Sequence, residues 1–253
     1  MGNVMATQIK AGSRLLLLVS FLAVQFPSVL SSPQQVITLP VCIHVVSDLV
    51  MNKNGQQMAS WVGQNDINNA VLPEVNAIWR PAGIQFDLVC IRHSRSLQPP
   101  QRQRLLEGIT KARRDADGKS DPGRIKKLKK LIDFSDQSPD AINIYFVPYL
   151  GEKSQGHAKR KRRHIFIGQW SDKKTYGGPP KKFQLTEPRP FKEGSISRTL
   201  AHELGHVLGL KHPNKKVQRE YGLLMGGKKA GYRLTEEDIS MARTEAKKLT
   251  PKE

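Results

Sequence analysis

The chain has 253 residues, of which 38% are hydrophobic and 25% are charged. This composition excludes an intrinsically disordered chain and a largely membrane-embedded one, and the length permits one substantial domain with its own core. The 41 Lys and Arg residues outnumber the 22 Asp and Glu residues and give a net charge of +19. That charge favours acidic partners such as nucleic acid, anionic polysaccharide or lipid surfaces, without selecting among them.

The first residues have the pattern of an export signal. Lys10 and Arg14 supply positive charge around the start of the apolar run LLLLVSFLAV at residues 15–24, which is too short to span a bilayer comfortably. Small residues at Val29 and Ser31 predict cleavage after Ser31. Residues 1–31 are therefore a predicted signal peptide, with an uncleaved anchor as the alternative, and the product is expected to be secreted or periplasmic. No later segment resembles a membrane span.

The sequence contains two cysteines, Cys42 and Cys90. Each lies in a strand-like run, VCIHVV and FDLVCI. An oxidising compartment allows them to pair, and the chain-entropy model gives such a loop closure roughly 4 kcal/mol of stability. The alternative is two reduced, buried cysteines that pack as small hydrophobic residues.

Hydrophobic patterning predicts an α+β domain with a mixed sheet. Strands are predicted at residues 36–46, 84–91, 141–147 and 164–169. Helices are predicted at residues 65–79, 101–116, 123–132 and 198–209, and from Thr235 onward. Pro73 is expected to bend or restart the first helix, Ser195 or Ser197 to cap the fourth, and Thr235 with Asp238 to form a capping box on the last.

Residues 94–140 differ in composition from the rest, because they are rich in Arg, Lys, Gln, Pro and Asp. We interpret them as a basic helical insertion that lies on a single domain at residues 32–253. A Gly-, Pro- and Lys-rich loop follows at residues 171–190. Positive charge is concentrated at residues 126–130, 159–163 and 173–182, and these clusters are either a solvated surface or a binding surface for an anionic polymer.

The run HELGHVLGLKH at residues 202–212 holds three of the seven histidines. His202 and His206 are four residues apart, so on a helix both imidazoles face one side and can reach one ion. Gly209 can end the helix in a left-handed conformation and return His212 to the same point. Three imidazoles leave a fourth position for water, as a catalytic zinc site requires, and Glu203 can take that water's proton. The short fragment HExxH by itself is also compatible with a pair of surface histidines.

The full pattern HExxHxxGxxH resembles the metzincin clan of zinc endopeptidases. Met225, in the sequence LMG thirteen residues after His212, is similar to the methionine turn that lies beneath the zinc in that clan. The resemblance implies a zincin domain with an upper sheet subdomain, an active-site helix and a small C-terminal helical subdomain. It also implies that an edge strand near residues 164–169 aligns an extended substrate, and that Met225 supports the histidines without binding zinc.

The sequence departs from the families of the clan at several positions. Pro213 follows the third histidine as in serralysins, but the tyrosine expected two residues after the turn methionine is absent. Tyr221 and Tyr232 flank the turn, and either is a candidate for stabilising the oxyanion. The resemblance therefore reaches the clan and no single family within it. Structural calcium is common in the clan, but no acidic cluster marks a site for it.

The sequence predicts a secreted, monomeric zinc endopeptidase that acts on protein or peptide substrates. A hydrolase of cell-wall peptide bonds is one alternative, and a basic adhesion or binding protein on an inactive scaffold is another. The presence of Glu203 disfavours the second alternative, because a scaffold kept for its shape needs no general base. Few residues separate the predicted cleavage site from the first strand, so we expect no inhibitory propeptide.

Overall fold

The structure, a computed structural model, describes residues 35–111, 122–151, 155–170, 196–214, 222–226 and 231–250. Its strands are β1 Ile37–Val45, β2 Met51–Lys53, β3 Gln56–Met58, β4 Ile84–His93, β5 Ile142–Tyr149, β6 Gly156–Ala158 and β7 His164–Trp170. Its α-helices are α1 Gln64–Asp66, α2 Leu72–Trp79, α3 Arg102–Thr110, α4 Pro122–Lys129, α5 Ile196–Val207 and α6 Glu236–Leu249. A π-helical turn at Ile67–Val71 and a 3-10 turn at Arg80–Ala82 flank α2.

Five strands form the central sheet, in the order β4-β1-β5-β7-β6. The first four are parallel, and β6 runs antiparallel to β7. All eight residues of β5 are buried, as expected for a parallel strand that is covered on both faces. The predicted mixed sheet is therefore confirmed, with a mainly parallel centre.

The strand predicted to be the edge strand, at residues 164–169, is not at the edge. It corresponds to β7, which pairs with β5 on one side and with β6 on the other. The prediction was wrong because β6 has only three residues, GHA, and so short a segment has no readable alternation of apolar and polar residues. The described sheet ends at β6.

The two cysteines are joined in a disulfide between adjacent parallel strands. Cys42 of β1 lies opposite Cys90 of β4, just after a bulge between Val41 and Cys42. Of the two sequence-based alternatives, the structure has the paired form. The bond ties the outer strand β4 to its neighbour β1.

One face of the sheet packs against α2, α5 and α6. The core on this side includes Ile43 of β1, Val75 of α2, Leu204 of α5 and Ala246 of α6. Trp79, fully buried at the end of α2, donates its indole N–H to the carbonyl of Ala201 on α5 at 3.3 Å. These contacts fix the position of α5, the helix that carries the first two motif histidines.

The opposite face is covered by the predicted basic insertion. Ile109 of α3 and Leu128 of α4 pack in one cluster with Tyr145 of β5 and Phe166 of β7. Burial of such side chains contributes roughly 2 kcal/mol each. The segment is thus a second helical layer with an apolar inner side, and its lysines lie mostly on the outer side.

Several local predictions need correction. Residues 51–58, for which no element was predicted from the sequence, form a hairpin with Asn54 and Gly55 both at positive φ in its turn. The Asn-Gly pair was a readable signal for it. The helix α5 begins at Ile196, so Ser197 is a buried residue inside it and not its cap. Ser195 lies outside the described residues.

Other helix predictions are confirmed. Pro73 follows a π-helical turn that is closed by the Leu72 N–H and the Ile67 carbonyl, so the first helix restarts there as expected. Thr235 and Asp238 form the capping box of α6. Residues 112–116 of the second predicted helix, the loop at 171–190, the lysines at 173–182 and the predicted signal peptide lie outside the described residues. In the described part of the chain, no helix is both long and apolar enough to cross a membrane.

Candidate metal centre and active site

One side of the helix α5 carries two histidines, and its opposite side is buried against the core. Leu200, Leu204 and Val207 are fully buried against the core, whereas His202 and His206 are half-buried on the opposite side. Their ring centroids are 4.9 Å apart. The spacing of four residues therefore places both imidazoles next to each other, because one turn of an α-helix separates them.

The end of α5 brings in the third histidine. Gly209 has a φ of +87°, and its N–H bonds the carbonyl of His206 at 3.0 Å while the Leu210 N–H bonds that of Gly205 at 2.9 Å. This pair of hydrogen bonds is a Schellman motif, which requires a left-handed residue that glycine supplies at low cost. The chain then reverses, and Nε2 of His212 lies 3.0 Å from Nε2 of His206.

Two backbone carbonyls orient the helical histidines. Nδ1 of His202 is 2.7 Å from the Leu224 oxygen, and Nδ1 of His206 is 3.0 Å from the Leu210 oxygen. A carbonyl can only accept, so both Nδ1 atoms donate and both Nε2 atoms keep their lone pairs. Such anchoring of the distal nitrogen is typical of metal-binding histidines.

The three histidines fit a single metal ion. One ligand nitrogen from each of His202, His206 and His212 lies within 4.8 Å of the others. Burial lowers the pKa of His202 to about 3 and also lowers that of His206, so both imidazoles are neutral at pH 7, as metal ligation requires. His212 is exposed, which leaves that side of the group open to solvent.

Met225 lies directly against the active-site helix. A side chain at Gly205 would place its Cβ 2.6 Å from the Met225 sulfur, so the methionine occupies the space that this glycine leaves. The carbonyl of the preceding residue, Leu224, accepts the hydrogen bond from His202. The Leu224 N–H donates to the backbone carbonyl of Arg233 at 2.8 Å. The turn thus supports His202 through its backbone and the helix through its methionine.

The side chain of Glu203 extends from α5 to the edge strand β6. It is 7% exposed, and this burial raises its pKa to about 8, while a hydrogen bond from the Ala158 backbone and the charge of Arg124 act in the opposite direction. A Cβ at Gly156 would overlap the Glu203 carboxylate. The strand can therefore pass this close to the carboxylate only with glycine at position 156.

Sequence reasoning missed these partners of Glu203 and the carbonyl of Leu224. Gly156 and Ala158 stand in a three-residue strand, and Arg124 is 3% exposed on α4 of the second helical layer. No local pattern marks any of them, because each acquires its place through long-range packing. Of the two tyrosines that flank the turn, Tyr232 is 44% exposed and Tyr221 lies outside the described residues.

Comparison with known proteins gives little further information. No protein-family model matches the chain, and no curated protein sequence matches it. In structure the chain is similar to archaemetzincin from Methanopyrus kandleri, with a TM-score of 0.42 and 12% identity over 85% of this chain and 99% of that chain. It is also similar to a chain in a chaperone–substrate complex, with a TM-score of 0.42 and 15% identity over 85% of this chain and 35% of that chain. Because both scores are below 0.5, the functional conclusion depends on the geometry of the site.

Proposed function

We propose that this protein is a zinc-dependent endopeptidase of the metzincin type, with His202, His206 and His212 as zinc ligands and Glu203 as general base. The convergence of three histidine nitrogens beside a buried carboxylate is the observation that supports it. Two anchored nitrogens, three nitrogen ligands and a solvent-facing side match a catalytic rather than a structural zinc site. Met225 and Gly209 act as structural supports.

Zinc bound at the three histidines would lower the pKa of a coordinated water and polarise a substrate carbonyl. Glu203 is the residue that moves protons. Burial raises the pKa of Glu203 to about 8, and a bound zinc cation would lower it again, so that the carboxylate would be ionised more readily. It takes a proton from the attacking water and later gives it to the nitrogen of the departing amine. Burial keeps its pKa high enough for it to hold that proton between the two steps.

The edge strand β6 is suited to align the substrate. It ends the described sheet and lies beside Glu203, whose carboxylate is bonded by the Ala158 backbone. An extended peptide can pair with the outer side of such a strand through main-chain hydrogen bonds. We therefore place the substrate along residues 156–158 rather than along residues 164–169.

The disulfide favours an oxidising compartment. We accordingly propose export, with residues 1–31 as a signal peptide and residues 32–253 as one catalytic domain that acts as a secreted or periplasmic monomer. Activity is expected to require zinc.

The test is hydrolysis of casein by the purified protein, with and without a zinc chelator, together with Glu203→Gln. We expect cleavage that the chelator abolishes and that Glu203→Gln reduces by roughly 100-fold or more, since a general base contributes 10²–10⁴-fold. The matched control is Glu107→Gln on α3, which lies on the other face of the sheet and should retain full activity. A folded protein that holds one zinc and cleaves no casein would instead favour a binding role or a narrower substrate such as a cell-wall peptide.

A further inference from the structure

A cavity of about 620 Å³ lies between the β6–β7 turn, the residues that follow α5, and α6. We call it the basic cleft. Its wall contains four cations, one glycine and an apolar side chain that matter here: Arg160, Lys161, Lys211, Lys248, Gly209 and Met241. The cluster KRKRR at residues 159–163, which the proposed chemistry does not use, supplies two of these cations.

The basic cleft is attached directly to the metal-binding segment. The Lys161 N–H donates to the carbonyl of His206 at 3.2 Å, and Gly209 and Lys211 belong to the same loop as His212. Since Gly209 precedes His212 by three residues, their Cα atoms are at most about 10 Å apart. That distance corresponds to about three residues of an extended peptide.

The position of Lys161 is fixed at an energetic cost. It is one of two non-glycine residues at positive φ in the described chain, with a φ of 58°. This conformation is unfavourable for most side chains other than glycine. Its backbone bond to His206 and the 2.9 Å ion pair of its ammonium with Glu245 hold it there. Strain of this kind tends to occur at functional sites.

The charge of the basic cleft is positive and locally unbalanced. Glu245 pairs with Lys161 and, at 3.3 Å, with Lys248, and Glu237 is the other carboxylate that lines the cavity. Arg160 and Lys211 are exposed, and the charge of Arg160 reaches His206. A negatively charged group entering the cleft would therefore meet two cations that no described ion pair engages.

The lining favours a peptide over a uniformly anionic polymer. Glu237 and Glu245 would repel a chain that carries a negative charge on every unit, whereas a peptide can place one or two carboxylates beside Arg160 and Lys211. Met241 is 40% exposed and offers an apolar surface for a neighbouring side chain. A concave cleft that offers both cations and an apolar surface suits side-chain recognition.

We propose that the basic cleft binds acidic side chains of the peptide substrate, about two to four residues from the scissile bond. This deepens the proposed endopeptidase function and depends on it. Arg160 and Lys211 are the specificity-determining residues, and Lys161 positions the turn that carries Arg160.

The test compares a neutral fluorogenic peptide with versions that carry Glu at the second to fourth positions on either side of the cleaved bond. We expect the wild-type protein to show a kcat/KM roughly tenfold higher for at least one acidic version, as two partly exposed ion pairs would give. Arg160→Gln with Lys211→Gln should reduce this ratio to between about one and two, and 0.5 M salt should reduce it in the wild type. Zinc content measured on each variant separates loss of specificity from loss of metal.

The matched control is Lys126→Gln with Lys130→Gln, which removes the same charge from α4 and the residue after it, on the other face of the sheet, and should leave the ratio unchanged. Cleavage of the neutral peptide with no preference for any acidic version would overturn the proposal while leaving the endopeptidase function intact. So would an equal loss of preference in the control variant, which would indicate net charge rather than a site.

A second measurement is independent of catalysis. Fluorescence anisotropy should detect binding of the acidic peptide to zinc-loaded Glu203→Gln, with affinity reduced roughly tenfold by the Arg160 and Lys211 substitutions. If no peptide is cleaved, but the acidic peptide binds and the Arg160 and Lys211 substitutions weaken that binding, the proposed endopeptidase function is wrong. The assignment of the basic cleft as a site for acidic side chains then stands. Binding of a sulfated polysaccharide without binding of the acidic peptide would overturn the proposal in favour of an anionic polymer.

Discussion

His44 and His202 lie on opposite faces of the sheet and differ in what their ring nitrogens contact. His44 is fully buried, and both of its nitrogens are bonded inside the protein, to Ser94 Oγ at 2.9 Å and to Asn143 Oδ1 at 3.0 Å. His202 uses only Nδ1 for such a contact, with the Leu224 oxygen, and its other nitrogen faces His206 and His212.

Burial lowers the pKa of both histidines, so a lowered pKa does not distinguish a ligand from a structural residue. The number of ring nitrogens that the protein itself engages does distinguish them. A histidine with both nitrogens bonded has no lone pair to offer, whereas a histidine anchored at one nitrogen directs the other. The sheet face beneath the second helical layer thus contains a structural histidine and the α5 face a candidate ligand, although both side chains are polar groups in apolar surroundings.

The largest difference between the two regions should appear when a candidate ligand is removed. We expect His206→Ala to lose its stoichiometric zinc and to reduce casein hydrolysis at least about 1000-fold, because several kcal/mol of transition-state stabilisation depends on the ion. Metal analysis and initial rates measure this. His44→Ala, the control from the other face, should keep one zinc per chain. Full zinc content in His206→Ala would show that His206 is not a zinc ligand.

Removal of His44 should instead affect stability. In zinc-free protein, His44→Ala is expected to lower the free energy of unfolding by about 2–4 kcal/mol, since it opens a cavity and removes one hydrogen bond from each of the buried Ser94 and Asn143 side chains. Urea denaturation measures this loss. His93→Ala, an exposed histidine at the end of β4, should change stability by less than about 0.5 kcal/mol. A change that small in His44→Ala would show that its hydrogen bonds are not structural.

The smallest expected effect is on the pH dependence of the free energy of unfolding. His44 and His202 bind protons less readily in the folded than in the unfolded chain, because burial lowers their pKa values below 6.5. The unfolded state then holds more protons below pH 6.5, so the free energy of unfolding falls as the pH falls through this range. The slope is at most about 1.4 kcal/mol per pH unit for each histidine.

Glu203 opposes this trend in zinc-free protein, because its pKa is raised from 4.5 to about 8. The folded state holds its proton between these values, so its contribution to stability is lost as the pH rises. Unfolding titrations are therefore best made in Glu203→Gln, with and without His44→Asn. A pH slope below pH 6.5 that His44→Asn leaves unchanged would contradict the role given to His44.

Patterns of short range predicted the main elements of this fold. The runs VITLPVCIHVV and AINIYFV form β1 and β5, and the apolar spacing in residues 198–207 forms most of α5. Such patterns persist because backbone periodicity decides which side chains share a face. Boundaries moved where packing decided them, as at Ser197, which the helix includes and buries.

The edge of the sheet could not be predicted in this way. The three residues of β6 carry no periodic signal, and their pairing with β7 is a long-range event. The same holds for the insertion, whose basic composition suggested an accessory segment. Its inward-facing Ile109 and Leu128 pack on the sheet as a second layer, which depends on a sheet face that lies far away in sequence.

The sequence by itself determined which residues form the candidate metal centre. The four-residue spacing of His202 and His206 and the glycine at 209 specify a helix, its end and the return of His212 through local backbone geometry. Tertiary structure decided everything that surrounds them: the carbonyl of Leu224, the glycine of β6 against Glu203, and the basic cleft between two distant segments. These contacts join parts of the chain that have no common period, so only the packing of the folded protein could reveal them.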